Sequence, residues 1–143
     1  MGKLREYVKA NFKEESQRRY ILKTAAAEAF AEEYQNDSVI YTMGSGAAYG
    51  AAYMESICIF MEMQWLDSSS IHTGEFFHGP FEVTDANRPF MIQISEGSTR
   101  ELDERALTFL KTYAKRIEVL DAKELGLSLS LIHISEPTRL LSI

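Results

Sequence analysis

VIYTMGSG, residues 39–46, is the stretch on which the fold turns. Val39, Ile40, Tyr41, Thr42 and Met43 form a β-branched and apolar run, the pattern of a strand buried on both faces. Gly44-Ser45-Gly46 ends it, and a helix is expected from about residue 49 to residue 66. Strand, small-residue turn and helix start make a natural anion site, because free backbone N–H groups and the helix dipole face the ligand. A plain turn that needs small residues for close packing has the same sequence, and both readings stand here. The dinucleotide fingerprint is excluded: the third glycine of G-x-G-x-x-G would fall at Tyr49.

Outward from this stretch the pattern repeats. Residues 89–95 and 116–120 read as further strands, and 99–115 as a helix with Leu102, Ala106, Phe109, Leu110 and Tyr113 near helical spacing. Strands alternating with helices predict a three-layer αβα unit with a mainly parallel sheet. Ligands of such sheets bind beyond the carboxyl ends of the strands, where Gly44-Ser45-Gly46 and Ser95-Glu96-Gly97 fall. Upstream, residues 3–36 are helical in character, with an alanine-rich core (Ala25, Ala26, Ala27, Ala29, Ala31) and room for a break at 11–15. Leu4, Tyr7 and Phe12 give this part an apolar face suited to a connector or a neighbouring module.

At 143 residues and 45% hydrophobic content, the chain holds one domain with ample core. A net charge of −6 argues against nucleic acid and anionic membrane, which select for basic patches. The single Cys58 sits in an apolar run and reads as a core thiol in a reducing cytoplasm. The N-terminus lacks a signal-peptide apolar region, and no apolar run reaches membrane-spanning length. A soluble cytoplasmic protein is the expectation.

The chemistry is concentrated in ICIFMEMQWLDSSSIHTGEFFHGPFE, residues 57–82. Its first part reads as a buried helix that carries one acid, Glu62, among Ile57, Ile59, Phe60, Met61, Met63 and Trp65. A carboxylate in such surroundings costs several kcal/mol unless paired or protonated, and burial of this kind suits a proton carrier. Sixteen residues on, His78 is set between Phe76-Phe77 and Gly79-Pro80, at a backbone irregularity imposed by the proline. Glu55 lies seven residues before Glu62, close to two α-helical turns, so both acids are expected on one helix face, Glu55 with a capping or ion-pair role. Ser68-Ser69-Ser70 reads as a turn, residues 70–73 as a short extended segment, and His72 as a packing residue or a hydrogen-bond partner within it. Read without any likeness, Glu62 is more simply an exposed acid on a narrow polar stripe, and His78 a turn residue.

Glu62, the sixteen-residue step and Gly74-Glu75-Phe76-Phe77-His78-Gly79-Pro80 resemble the second sugar-isomerase (SIS) module of two families. These are the isomerase domain of glucosamine-6-phosphate synthase and, more closely, the deglycases acting on fructoselysine 6-phosphate and its relatives. The closer likeness extends through Tyr41-Thr42-Met43, Met61-Glu62-Met63-Gln64-Trp65, Ile71-His72-Thr73-Gly74-Glu75 and Asp103-Glu104-Arg105-Ala106. It implies an SIS fold and cleavage of a phosphorylated Amadori compound, such as fructoselysine or glucoselysine 6-phosphate, to glucose 6-phosphate and an amine. It implies Glu62 as the carrier of a proton between C1 and C2, and His78 as an aid to ring opening or proton transfer at the ring oxygen. Gly44, Ser45, Gly46, Tyr49 and Glu75 are then substrate-binding, the intact enzyme is a homodimer or higher homo-oligomer, and no metal or organic cofactor is required. The synthase-type relatives carry lysines one and three residues before the acid, where this chain has Met61 and Ile59, which favours the deglycase over an isomerase or aminotransferase.

The resemblance divides the chain into an N-terminal helical segment at 1–37, an SIS domain at 38–126 incomplete at its C-terminal end, and a tail at 127–143. The tail's Leu129-Ser130-Leu131-Ile132-His133-Ile134-Ser135-Glu136-Pro137-Thr138-Arg139 resembles a translated sequencing adapter and is given no biological role. The first SIS module of the family is not present, so the chain reads as part of a deglycase that is inactive alone. A non-catalytic module that senses sugar phosphate is the alternative outside enzymes.

Overall fold

The computed structural model describes the backbone of residues 15–124 and the side chains of residues 25–124. The expected apolar face of Leu4, Tyr7 and Phe12, and the tail at 127–143, lie outside the described residues. The chain divides into two compact units, Met1–Asn36 and Asp37–Ile143. The first contains helix α1, Glu15–Tyr34, which its alanine-rich sequence favours. Phe30 and Tyr34, one turn apart, bring their rings to 4.4 Å.

In the second unit β1 (Ile40–Gly44) leads into α2 (Gly46–Met54), which passes without a break into a π-helical segment, Glu55–Met63. Strand β2 (Ser68–His72) follows, then two 3₁₀ turns, Phe76–His78 and Pro80–Val83. Strand β3 (Phe90–Ile94), helix α3 (Arg100–Tyr113) and strand β4 (Ile117–Asp121) complete the unit. The four strands form one sheet, β2-β1-β3-β4, and every pairing is parallel. The strands expected at 39–43, 89–95 and 116–120 therefore lie in one sheet, as the sequence predicts.

Parallel neighbours need crossovers, and the crossovers cover both faces. Register sorts the side chains. Tyr41 and Met43 align with Phe90 and Ile92, and Met43 with Ile71. Met43, Ile71, Phe76, Phe90, Ile92 and Ile94 form one buried cluster with Ala106 and Leu110 of α3. Ile40, Thr42 and Met91 are turned to the opposite face, where the Thr42 hydroxyl donates to the Ala52 carbonyl of α2 at 2.8 Å. The result is helix, sheet, helix. Two bidentate pairs fix the ends of β4: Arg116 donates to both Asp37 oxygens at 2.6 Å, and Arg100 at the start of α3 grips Asp121.

One expectation is corrected. Ser68-Ser69-Ser70 is strand, not turn: these residues pair with Ile40, Tyr41 and Thr42, and the Ser68 hydroxyl donates to the Ile40 carbonyl at 2.8 Å. β2 is the sheet's edge, and edge strands are short and polar where they meet water. Helix α2 also begins earlier than expected, at Gly46.

Phe76 anchors the turns after β2, with no exposed surface and an edge-to-face contact to Phe109 of α3 at 5.6 Å. Phe76→Ala should destabilise the fold by about 3–5 kcal/mol in urea unfolding, the range for emptying a buried aromatic site. A loss below about 1 kcal/mol would contradict the packing described.

Candidate functional site

Three loops meet at the carboxyl edge of the sheet. The loop after β1 contains Gly44, Ser45 and Gly46, and its buried Ser45 hydroxyl donates to the Thr99 carbonyl after β3 at 3.1 Å. Gly46 has φ +52, and a Cβ there would stand 2.7 Å from the Thr99 hydroxyl, so glycine is required both by backbone and by space. Gly44 aligns with His72, the last residue of β2. The His72 ring meets Tyr49 edge-on at 4.9 Å, and its Nδ1 accepts the Gly74 N–H at 3.1 Å, which leaves the proton of the neutral ring on Nε2. His72 thus packs as expected, and its hydrogen bond lies in the turn after β2 rather than within the strand.

The chain then turns through 73–75 into the short Phe76–His78 helix, closed by Gly79 at φ 142, ψ −50, a conformation open to glycine alone. Pro80 opens the next turn at a position where its missing N–H is harmless. Phe76, Phe77 and Phe81 all rest on Phe109, and the Arg105 guanidinium covers Phe77 at 4.4 Å. That platform leaves Glu75 and His78 in solvent, 72% and 73% exposed, with Nδ1 of His78 3.6 Å from the Glu75 carboxylate. The edge therefore gathers Gly44, Ser45, Gly46, Tyr49, Glu75 and His78. Ser95, placed at this edge by its sequence position, has a buried hydroxyl with no partner among the described residues, and Thr99 joins the edge without a signal in the sequence.

Glu62 is elsewhere. The helix from Gly46 to Met63 starts at the carboxyl end of β1 and runs back to the amino end of β2, because the two strands are parallel. Glu62 thus stands near the opposite edge from His78, separated by about the length of a five-residue strand, roughly 16 Å. One chain does not bring the two together.

The helix that bears Glu62 is not buried as expected. Tyr53, Met54, Ile57, Met61 and Met63 are exposed, Glu62 with them, and Trp65 is 90% exposed. Trp65 lies beyond the helix with φ 57, an uncommon conformation for a bulky residue. The expected pairing of Glu55 and Glu62 on one face is also overturned. Hydrogen bonds of i→i+5 type lengthen each turn, so seven residues no longer make two turns. Glu55 faces the sheet instead, where the Gln93 amide donates to it at 2.5 Å. The expected capping or ion-pair role is corrected too, since its partner is a neutral amide: burial pushes the Glu55 carboxyl up, and the Gln93 hydrogen bond only partly opposes this. Among the described residues, no cluster of three or more metal-ligating side chains occurs.

A carboxyl raised above its unfolded value favours the fold when protonated and loses that contribution as pH rises through its folded value. Glu55→Gln keeps an acceptor for Gln93 and removes the charge. It should raise the melting temperature at pH 7 and leave it unchanged near pH 4, where Glu55 is already neutral. An equal shift at both pH values would rule out desolvation as the cause.

No family model matches the sequence. Fructosamine deglycase FrlB of Bacillus subtilis (strain 168) is 57% identical over 96 residues, covering 67% of this chain and 29% of the relative. Fructoselysine 6-phosphate deglycase of Escherichia coli (strain K12) is 33% identical over 88 residues, covering 62% and 26%. A solved Bacillus subtilis protein, provisionally described as a phosphosugar isomerase, superposes with a TM-score of 0.71 at 51% identity, over 75% of this chain and 33% of that one. The C-terminal domain of glucosamine-fructose-6-phosphate aminotransferase from Francisella tularensis shares the fold alone, with a TM-score of 0.65 at 16% identity over 80% of this chain and 32% of that one. The chain spans 29% and 26% of the lengths of the two curated relatives. It is similar over part of their length to the fructosamine and fructoselysine 6-phosphate deglycases, and it has the SIS fold of the phosphosugar isomerase structures.

Proposed function

We propose that this segment belongs to a deglycase that cleaves a phosphorylated Amadori compound, fructoselysine or glucoselysine 6-phosphate, to glucose 6-phosphate and a free amine. The observation that carries the reading is Glu62, a carboxylate set in an exposed apolar strip on a chain homologous to deglycases. In the ring-opened substrate Glu62 takes a proton from C1, giving an enaminol, and returns a proton to C2, giving an imine. Water adds to the imine carbon and the amine leaves. His78 moves the proton at the ring oxygen during opening. Gly44, Ser45, Gly46, Tyr49 and Glu75 contact substrate at the carboxyl edge. The reaction is a hydrolysis, placed in the cytoplasm, and needs no cofactor. The synthase-type reading rests on fold alone and lacks the lysines at Ile59 and Met61.

The resembling enzymes complete the sugar site with a histidine donated across a subunit boundary, and the placement of Glu62 and His78 near opposite edges of one sheet supports the same arrangement here. The strip around Glu62 suits that contact. Patches of large exposed apolar side chains mark interaction surfaces, and covering this one would take the carboxylate out of water. The segment therefore works in a homo-oligomer. The chain should self-associate at micromolar concentration by light scattering, and Met61→Lys with Trp65→Lys should shift it toward monomer. A clean monomer without substitution would contradict the strip's role.

In a full-length protein carrying this segment, Glu62→Gln should lower glucose 6-phosphate release by about 10²–10⁴ with the fold retained. Glu55→Gln should cost much less. Near-native turnover by a folded Glu62→Gln enzyme would overturn the mechanism.

A further inference from the structure

Asp103 is the least expected acid in the fold. It has no exposed surface, and the Thr73 hydroxyl donates to its Oδ1 at 2.7 Å. Its Oδ2 is buried with no hydrogen-bond partner, and no cation pairs with it among the described residues. The first turn of α3 favours a negative charge, yet a buried carboxylate with one open oxygen remains costly. Leucine, with the same branched skeleton, would fill the place without that cost. A buried acid with one open oxygen, kept where an apolar residue would fit, points to a role outside stability.

Its one partner shows where that role lies. Thr73 is the first residue after β2 and opens the turn into the His78 helix. The Thr73 carbonyl accepts the Phe76 N–H at 3.4 Å, the His72 carbonyl accepts that of Glu75 at 2.8 Å, and the Glu75 carbonyl accepts that of His78 at 2.9 Å. These are local bonds that hold the segment's shape but not its place. The Thr73 N–H ties the start of the turn to β1 through the Gly44 carbonyl at 3.0 Å. Against α3 the segment is held by aromatic packing on Phe109, by the Arg105 guanidinium over Phe77, and by the Thr73–Asp103 hydrogen bond, which is the directional one of the three. We infer that Asp103, acting through Thr73, is a positioning residue that fixes the Glu75–His78 segment on α3 for proton transfer at the sugar. This rests on the deglycase reading above for what His78 does, but the tether itself is a property of the fold.

The test uses Thr73→Val with Asp103→Leu in a full-length deglycase carrying this segment, replacing both partners by apolar groups of like shape. Such a replacement is neutral or stabilising in a buried site. The melting temperature should hold or rise, while kcat falls roughly 10- to 100-fold with KM little changed, the scale of an ångström-level misplacement. Asp103→Asn, which keeps an oxygen for the Thr73 hydroxyl, should retain most of the kcat. Should the double variant not fold, Thr73→Val against Thr73→Ser makes the same comparison, with loss of kcat expected only where the hydroxyl is lost. Amide exchange at 73–78 should rise in the apolar variant while β1 and β3 stay protected. Native kcat in the folded apolar variant, or a loss equal to it in Asp103→Asn, would overturn the positioning role. A wild type without deglycase activity, or an insensitive Glu62→Gln, would overturn the functional reading instead, and unchanged exchange at 73–78 would overturn the tether by itself.

Discussion

Everything in the larger unit follows from the need of a parallel sheet to be covered on both faces. β1 and β3 are central, and their side chains are buried in both directions: Met43, Phe90 and Ile92 under α3, Ile40, Thr42 and Met91 on the side of α2. Each crossover must leave a strand at its carboxyl end and return to the amino edge. The loops after β1, β2 and β3 are thereby delivered to one edge, where Ser45 bonds Thr99 and Tyr49 meets His72. The same rule carries the far end of the α2 helix, with Glu62, to the other edge. Separation of the two proposed catalytic groups is therefore a consequence of topology, and it is what makes a second copy part of the reading.

The π-helical segment adds the second constraint. Such segments are rare and occur often at functional sites. Here the wider turn directs Glu55 to Gln93 and the sheet, and leaves Glu62 among exposed methionines, isoleucines and Trp65. The two acids thus occupy different environments although they belong to one helix. One is held by the fold, and the other stands on an exposed apolar surface.

How much of this is legible in the sequence depends on what each residue's signal is. The central strands read directly, because burial on both faces leaves continuous runs such as Phe90-Met91-Ile92. The edge strand does not: Ser68, Ser69 and Ser70 carry turn composition, and only pairing with β1 makes them a strand. The break at Gly79-Pro80 is plain because only glycine adopts φ 142. The π register is invisible, since an apolar run looks the same with i→i+4 or i→i+5 bonding, and the seven-residue spacing alone therefore puts Glu55 and Glu62 on one face. Asp103 does carry a signal in the sequence. It falls three and seven residues before Ala106 and Leu110, in phase with the buried face of α3.

The proposed reaction requires that a C1–H bond break before the amine leaves. Direct hydrolysis at C1 would not break it and would give fructose 6-phosphate. The most direct test is the product formed from fructoselysine 6-phosphate dideuterated at C1, in a full-length protein carrying this segment. Proton transfer by Glu62 gives glucose 6-phosphate with a single deuterium at C1, and fructose 6-phosphate retaining both deuteriums would contradict it.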